Sequence, residues 1–366
     1  IMGWGVMTTI TLLMFFTTHL VPENMRLIYF IILYLVYIVG YTFQTACTKA
    51  GQTVLTNDPE QRPLFSTFDM SYTSLLFAGA AMYVSNYMVP KHGGFTESFF
   101  HEFVITVVIA SGVMTAIAVA GLWEHDRTEN FGTGGVQEPI KLKDMFNIIK
   151  CNRPLQMLIV AASTDKLAST VSTNSIVMVM LFGILIGDYG VFGSISAITM
   201  IPVLILIQIG TRYARKFGSK KALVVSTWMC IALYAAMFLL LWLGDPSQIR
   251  MTDMNAMSIA FVTLYILATG VRSVSGGIVI PMIPDITDYE LYKNDRYAPG
   301  VMGTIFSFVD KMISSLGQTI IGILLAYIGF KEVFPSVDTP PSEEIFWVTM
   351  FLFVGMMILG WVASLI

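Results

Sequence analysis

Long apolar runs, each near the length of a membrane span, alternate along the chain with short polar turns. A helix that crosses a bilayer needs roughly 20 predominantly apolar residues. Ten runs of that order occur, at Met2–Val21, Leu27–Thr53, Thr67–Val89, Phe103–Trp123, Leu155–Ile186, Val191–Thr211, Ala222–Gly244, Met257–Ile283, Val301–Ile328 and Ile345–Ile366. None alternates apolar with polar positions as a transmembrane β-strand does, so the expected fold is an all-α membrane bundle. The longest polar interval, Glu124–Pro154, holds Gly132, Gly134 and Gly135 and then Ile140–Lys150, where Leu142, Met145, Phe146 and Ile149 recur at helical spacing. That pattern predicts a flexible joint followed by an interfacial helix. The joint divides the chain into an amino-terminal part of four runs (1–123), a central loop (124–154) and a carboxy-terminal part of six (155–366). Four and six about a joint match a transporter of two six-helix halves whose first two helices precede Ile1, and ten of twelve spans are expected in this sequence.

Composition agrees. Of 366 residues 55% are hydrophobic and 12% charged, about half the charge of ordinary soluble domains. Soluble enzymes, nucleic-acid binders and secreted disulfide scaffolds are excluded on that ground. With the joint placed in the cytoplasm and the loops alternating outward from it, cytoplasmic segments hold 13 Lys and Arg residues, among them Arg62, Lys150, Arg212, Arg215, Lys216, Lys220, Lys221 and Arg296. The opposite loops hold only Arg26, Lys91, Arg250 and Lys331. This bias is the positive-inside rule, and it predicts an integral protein of a bacterial cytoplasmic membrane with a cytoplasmic joint. Cys47, Cys151 and Cys230 show no C-x-x-C spacing, and the four His residues show no metal-binding spacing. Neither a disulfide nor a metal centre nor a bound cofactor is expected. No H-E-x-x-H or G-x-S-x-G string falls in a span, so an intramembrane enzyme is not expected.

Four cations remain inside the runs: Lys49, Lys166, Arg272 and Lys311. Each costs about 2.5–3.5 kcal/mol at the bilayer centre, so each is a functional candidate facing a cavity or a partner. Asp165, Asp310 and, near a helix start, Asp69 are their acidic counterparts. In the second run Tyr34, Tyr37, Tyr41, Thr45, Lys49 and Gln52 recur at steps of three and four, which puts them on one helix face. Gly303, Ser307, Lys311, Ser314 and Gln318 form a similar stripe in the ninth, and ten of the thirteen residues of Ser163–Ser175 in the fifth run are polar. Isolated Ser and Thr residues read as glue between helices; packing alone does not call for the four cations. Gly270, Gly276, Gly277, Pro281 and Pro284 predict a broken eighth span around Arg272.

The stretch Pro284-Asp-Ile-Thr-Asp-Tyr-Glu-Leu-Tyr-Lys-Asn-Asp-Arg296, with Gly300, then Ser307-Phe-Val-Asp-Lys311 and Tyr327-Ile-Gly-Phe330, resembles the glycoside–pentoside–hexuronide:cation symporter family of the major facilitator superfamily. Tyr41-Thr42 and Leu55-Thr-Asn-Asp-Pro-Glu-Gln-Arg62 resemble that family's Y-T…L-T-x-D-x-x-x-R loop. The resemblance implies symport of a sugar with Na⁺, H⁺ or Li⁺ by alternating access. It implies that Lys311 stands at the functional lysine of the eleventh helix and Thr42 at a threonine of cation coupling. It further implies that Asp58, Arg62, Asp285, Asp288, Tyr289 and Arg296 form a cytoplasmic gate. Where the family reads D-I-P-[YFW]-x-[AS]-L after Y-T, this chain reads Thr45-Ala-Cys-Thr-Lys-Ala-Gly51, so Thr45 replaces a sugar-binding Asp and Lys49 an aromatic position. The family's usual Arg early in the next helix falls near Met70.

The expected substrate site therefore comprises Tyr41, Thr45, Lys49, Asp165, Lys166, Arg272 and Lys311. More cations than carboxylates lie in the runs, which favours an anionic sugar such as a hexuronide over a neutral glycoside. The expected partners are a small-molecule substrate and membrane lipid, with no nucleic acid. Two other readings are a sodium-coupled lipid or lysolipid carrier of the same architecture, and a non-transporting sensor or assembly factor built on it.

Overall fold

The computed structural model describes residues 1–55, 62–123, 149–150, 152–294, 299–331 and 333–365. At residues 45–55, 62–67, 70, 280–281, 283–285, 287–288, 290–291, 293–294, 299–308 and 310 it describes the backbone alone. All ten apolar runs lie on helices. The helices are α1 (Met2–Thr17), α2 (Glu23–Leu55), α3 (Arg62–Tyr83), α4 (Glu97–Leu122), α5 (Arg153–Ser172), α6 (Ser175–Leu185), α7 (Gly190–Phe217), α8 (Ser219–Leu243), α9 (Ala256–Asn294), α10 (Pro299–Tyr327) and α11 (Glu343–Leu365). Among the described residues six helices are long and apolar enough to cross a membrane, or seven if the bent pair α5 and α6 forms one span. The expected joint and interfacial helix fall mostly outside the described residues.

The break expected in the eighth run lies instead in the fifth. The α9 helix runs unbroken through Gly270, Gly276, Gly277, Pro281 and Pro284. At Gly270 a side chain would collide with Leu206 of α7, so this glycine serves a close helix approach rather than a kink. Between α5 and α6 the chain bends by 49°. Asn174 leaves the helical region there (φ −63°, ψ 140°) and its side chain accepts from the Ile176 amide at 2.9 Å. This is the N-cap role for which Asn is suited, so one polar residue ends one helix and starts the next. Its Nδ2 also donates to Gln318 Oε1 of α10 at 3.0 Å. Three spans carry π-helical turns, at Val84–Met88, Val179–Leu185 and Phe351–Gly355, which hydropathy does not reveal.

The chain forms two compact units. The first comprises Ile1–Asp69 and Met88–Glu138, the second Met70–Tyr87 and Pro139–Ile366. In the first, α1 crosses α2 at Gly3, where a Cβ would stand 2.8 Å from the Gly40 carbonyl oxygen and 2.9 Å from the Gln44 amide nitrogen. Trp4 Nε1 donates to Ser111 Oγ at 3.0 Å, tying α1 to α4. In the second, α11 meets α5 at Gly360, where a Cβ would stand 2.6 Å from Ala168 Cβ and 2.8 Å from the Thr164 carbonyl oxygen. Small residues at such crossings let backbones approach, the main route to tight helix packing in lipid.

Many of the described Ser and Thr hydroxyls make their hydrogen bonds within their own helices. Thr8, Thr42, Thr106, Thr164, Thr211 and Thr227, for example, donate to carbonyls three or four residues back in their own helices. In lipid such a hydroxyl has no water to turn to, and its own helix supplies the nearest acceptor. The hydroxyls that do reach a different helix are therefore the informative ones.

Candidate functional site

In the carboxy-terminal unit those hydroxyls lead to a polar cluster shared by α5, α8, α9 and α11. Asp165 stands on α5, one residue beyond the carbonyl that Gly360 touches. Its Oδ2 accepts from Ser364 Oγ of α11 at 3.4 Å. Its Oδ1 is out of contact with solvent and has no hydrogen-bond partner among the described residues. On α8, Cys230 is fully buried and feels the charges of both Asp165 and Arg272. One turn further on α8, the buried Tyr234 lies near Arg272 of α9 and Ser172 of α5. Tyr265, two turns before Arg272, lies within range of the same guanidinium. Ser172 Oγ donates to the Phe353 carbonyl at 2.8 Å, and the Tyr234 ring meets Trp361 edge-on at 4.9 Å between centroids. Aromatic and backbone contacts thus fix the wall that carries the polar groups.

The charges of the cluster are not matched by direct pairing. No carboxylate lies within 4.0 Å of Arg272 among the described residues. A guanidinium has five donors in a fixed fork that suits a carboxylate, and a carboxylate oxygen without a donor leaves acceptor capacity unused. The cluster therefore offers one anchored cation and one open acceptor.

In the amino-terminal unit, Phe30, Tyr34 and Tyr37 of α2 stack in sequence, with centroids 6.3 and 6.2 Å apart. Tyr41 continues the stripe one turn on, and both Tyr34 and Tyr41 present about half their surface. Such rings can hold the apolar face of a sugar while their hydroxyls meet its polar edge. Thr42 Oγ1 donates to the Ile38 carbonyl at 2.8 Å.

A family profile for MFS/sugar transport proteins matches residues 1–366. The chain belongs to this family. As a member of a membrane transporter family with several long apolar helices and bacterial relatives, the chain is an integral protein of the cytoplasmic membrane. It is similar to two proteins of Bacillus subtilis (strain 168). One is the uncharacterized symporter YnaJ, 23% identical over 211 residues, or 56% of this chain and 41% of YnaJ. The other is the uncharacterized symporter YjmB, 21% identical over 333 residues, or 90% of this chain and 67% of YjmB. The aligned chain thus spans about two-fifths of one relative and two-thirds of the other.

Of the transporter residues expected from sequence, the structure brings Asp165 and Arg272 to one cluster around Cys230. Lys166 and Lys311 are exposed, and Tyr289 is exposed on the far end of α9. Asp285 and Asp288 lie on that helical extension rather than in a loop, and Arg62 opens α3. The side chains of Thr45, Lys49, Arg62, Asp285 and Asp288, and all of Asp58 and Arg296, fall outside the described residues. Sequence reasoning missed Cys230, Tyr234, Tyr265 and Ser364. Each is a single weakly polar residue in an apolar run, and the faint signal is that Cys230 and Tyr234 are four apart, on one face of α8.

Proposed function

We propose that the protein is a cation-coupled symporter of a glycoside, pentoside or hexuronide, working by alternating access and favouring an anionic sugar. One observation carries the preference: among the described residues, Arg272 has no carboxylate in salt-bridge range and Asp165 Oδ1, in the same cluster, has no donor. A hexuronide supplies both missing groups, a carboxylate for the guanidinium and a hydroxyl for the acceptor. A charge-assisted hydrogen bond of this kind contributes about 1.5–3 kcal/mol. The tyrosine stripe of α2 supports a sugar by the stacking it permits, and the symporter names of both relatives support coupling to Na⁺ or H⁺. In this reading Thr42 takes part in coupling. Tyr41, Thr45, Lys49, Lys166 and Lys311 complete the substrate site, and Asp58, Arg62, Asp285, Asp288, Tyr289 and Arg296 act as the cytoplasmic gate.

The test is uptake by proteoliposomes of a glucuronide and its matching neutral glucoside, under an imposed Na⁺ or H⁺ gradient. Arg272→Gln should lower glucuronide uptake roughly tenfold or more, the effect of one lost charge-assisted bond, and leave the glucoside within about twofold. Arg272→Lys should recover part of the loss. Equal losses for the two sugars, or uptake of the neutral sugar alone by the unaltered protein, would overturn the anionic preference. A lysolipid that competes where neither sugar does would favour the carrier reading instead.

A further inference from the structure

The α7–α8 hairpin carries a feature that lies outside the proposed substrate site. Arg212, Arg215 and Lys216 close α7, and Lys220 and Lys221 open α8, with no acidic residue between Arg212 and Lys221. None of the five has a carboxylate within 4.0 Å among the described residues, and all five are exposed. Two converge on a single ring: Lys216 Nζ stands 5.3 Å and Lys221 Nζ 5.2 Å from the centroid of Phe217, itself 45% exposed. Tyr213 backs that ring at 4.6 Å. Gly218, at φ +89°, makes the tight reversal that joins the helices, a conformation glycine adopts without strain.

Each helix continues from these cations into an exposed apolar stripe. On α7, Ile201, Ile205 and Ile209 lead to Arg212 and Lys216 at steps of three and four. On α8, Lys221 leads to Val224, Val225 and Trp228 at the same spacing. Cation at one end and apolar face along the rest is the complement of an amphiphile, not of a small ion. A topology signal alone requires positive charge near the turn; it does not require the charges to converge on an exposed aromatic ring above apolar stripes.

We propose that this hairpin is a binding site for an anionic phospholipid of the cytoplasmic leaflet. Lys216, Lys221 and Arg212 hold the headgroup phosphate, and the acyl chains lie along the isoleucine and Val224–Trp228 stripes. Clusters of basic residues at the cytoplasmic end of spans attract anionic lipid with about 1 kcal/mol, or roughly fivefold, for each cation near the surface.

Native mass spectrometry of the purified protein titrated with phosphatidylglycerol or with phosphatidylcholine of the same acyl chains tests the site. The unaltered protein should retain phosphatidylglycerol at least about tenfold more tightly. Lys216→Gln with Lys221→Gln should abolish most of that preference, while Lys216→Arg with Lys221→Arg should keep it. Soluble glycerol 3-phosphate at equal concentration should not displace the lipid. Equal retention of the two lipids, an unchanged preference in the glutamine variant, or its loss in the arginine variant would overturn the proposal. Displacement by glycerol 3-phosphate would make this a general anion site and would likewise overturn it.

Discussion

In the amino-terminal unit α1 crosses α2 at Gly3, against the backbone of Gly40 and Gln44; in the carboxy-terminal unit α11 crosses α5 at Gly360, against the backbone of Thr164. Both crossings use a missing Cβ to bring two backbones together, and each places a polar side chain at the contact. In the first it is the neutral amide of Gln44. In the second the contact lies beside Asp165 and four residues before Ser364, whose hydroxyl it delivers to the carboxylate. The same packing device thus yields a plain joint in one unit and a charged cluster in the other.

The sharpest way to break this comparison is to remove the charge and keep the shape. If the proposed function holds, Asp165→Asn should leave the protein folded and cut glucuronide uptake about 10- to 100-fold, the range expected for one charge-assisted hydrogen bond, whereas Gln44→Glu should not restore uptake to that variant. Unchanged uptake by Asp165→Asn would reduce the cluster to packing. Next in size are the crossings themselves. Gly360→Ala and Gly3→Ala each force a methyl against backbone and should destabilise by about 1–3 kcal/mol, read as thermal melting in detergent. Gly276→Ala, with nothing within 4 Å of the added carbon, should melt with the unaltered protein. A smaller effect sits at the rim of the amino-terminal unit, where Lys91 Nζ holds both Glu102 oxygens at 2.6 and 2.7 Å and His92 Nε2 holds one at 2.9 Å. These groups are partly exposed, so Glu102→Gln should lower the melting temperature only slightly, and less at high salt.

The smallest effect belongs to Asp245, in the loop after α8. The Ser247 hydroxyl at 2.8 Å and its amide at 3.0 Å hold this carboxyl below its ordinary value of 3.8. A carboxyl lowered on folding contributes stability above its ordinary value and loses it as pH falls through the lowered one. Solvent exposure limits the effect to a few tenths of a kcal/mol. Between pH 6 and pH 3 the melting temperature of Asp245→Ala should therefore fall slightly less than that of the unaltered protein. An equal fall would show that the cap adds nothing.

The apolar runs made the helices legible, since a stretch such as Ala222–Gly244 has no other stable form in lipid. Arg272 and Asp165 were legible for the same reason: charge is costly where they sit. Their partners were not. Ser364 becomes a partner only because Gly360 lets α11 approach α5, and that depends on two segments far apart in the chain. The bend was misplaced because Gly and Pro near Arg272 carry the usual sign of a break, while the bend arises at Asn174, whose side chain caps α6. Gly270 reads as a hinge in one dimension and as room for Leu206 in three.

The unbroken α9 has a mechanical consequence. Its 39 residues extend about 58 Å at the α-helical rise, nearly twice the roughly 30 Å of hydrocarbon a span must cross. Arg272 sits near the middle, and Asn294 ends the rod 22 residues further on, about 33 Å away. A straight rod tilted by about 10° at Arg272 would move its tip through about 6 Å at that length. Asp285, Asp288 and Tyr289 lie on that arm, so a tilt too slight to disturb the packing around Tyr234 would be amplified at their distance from Arg272.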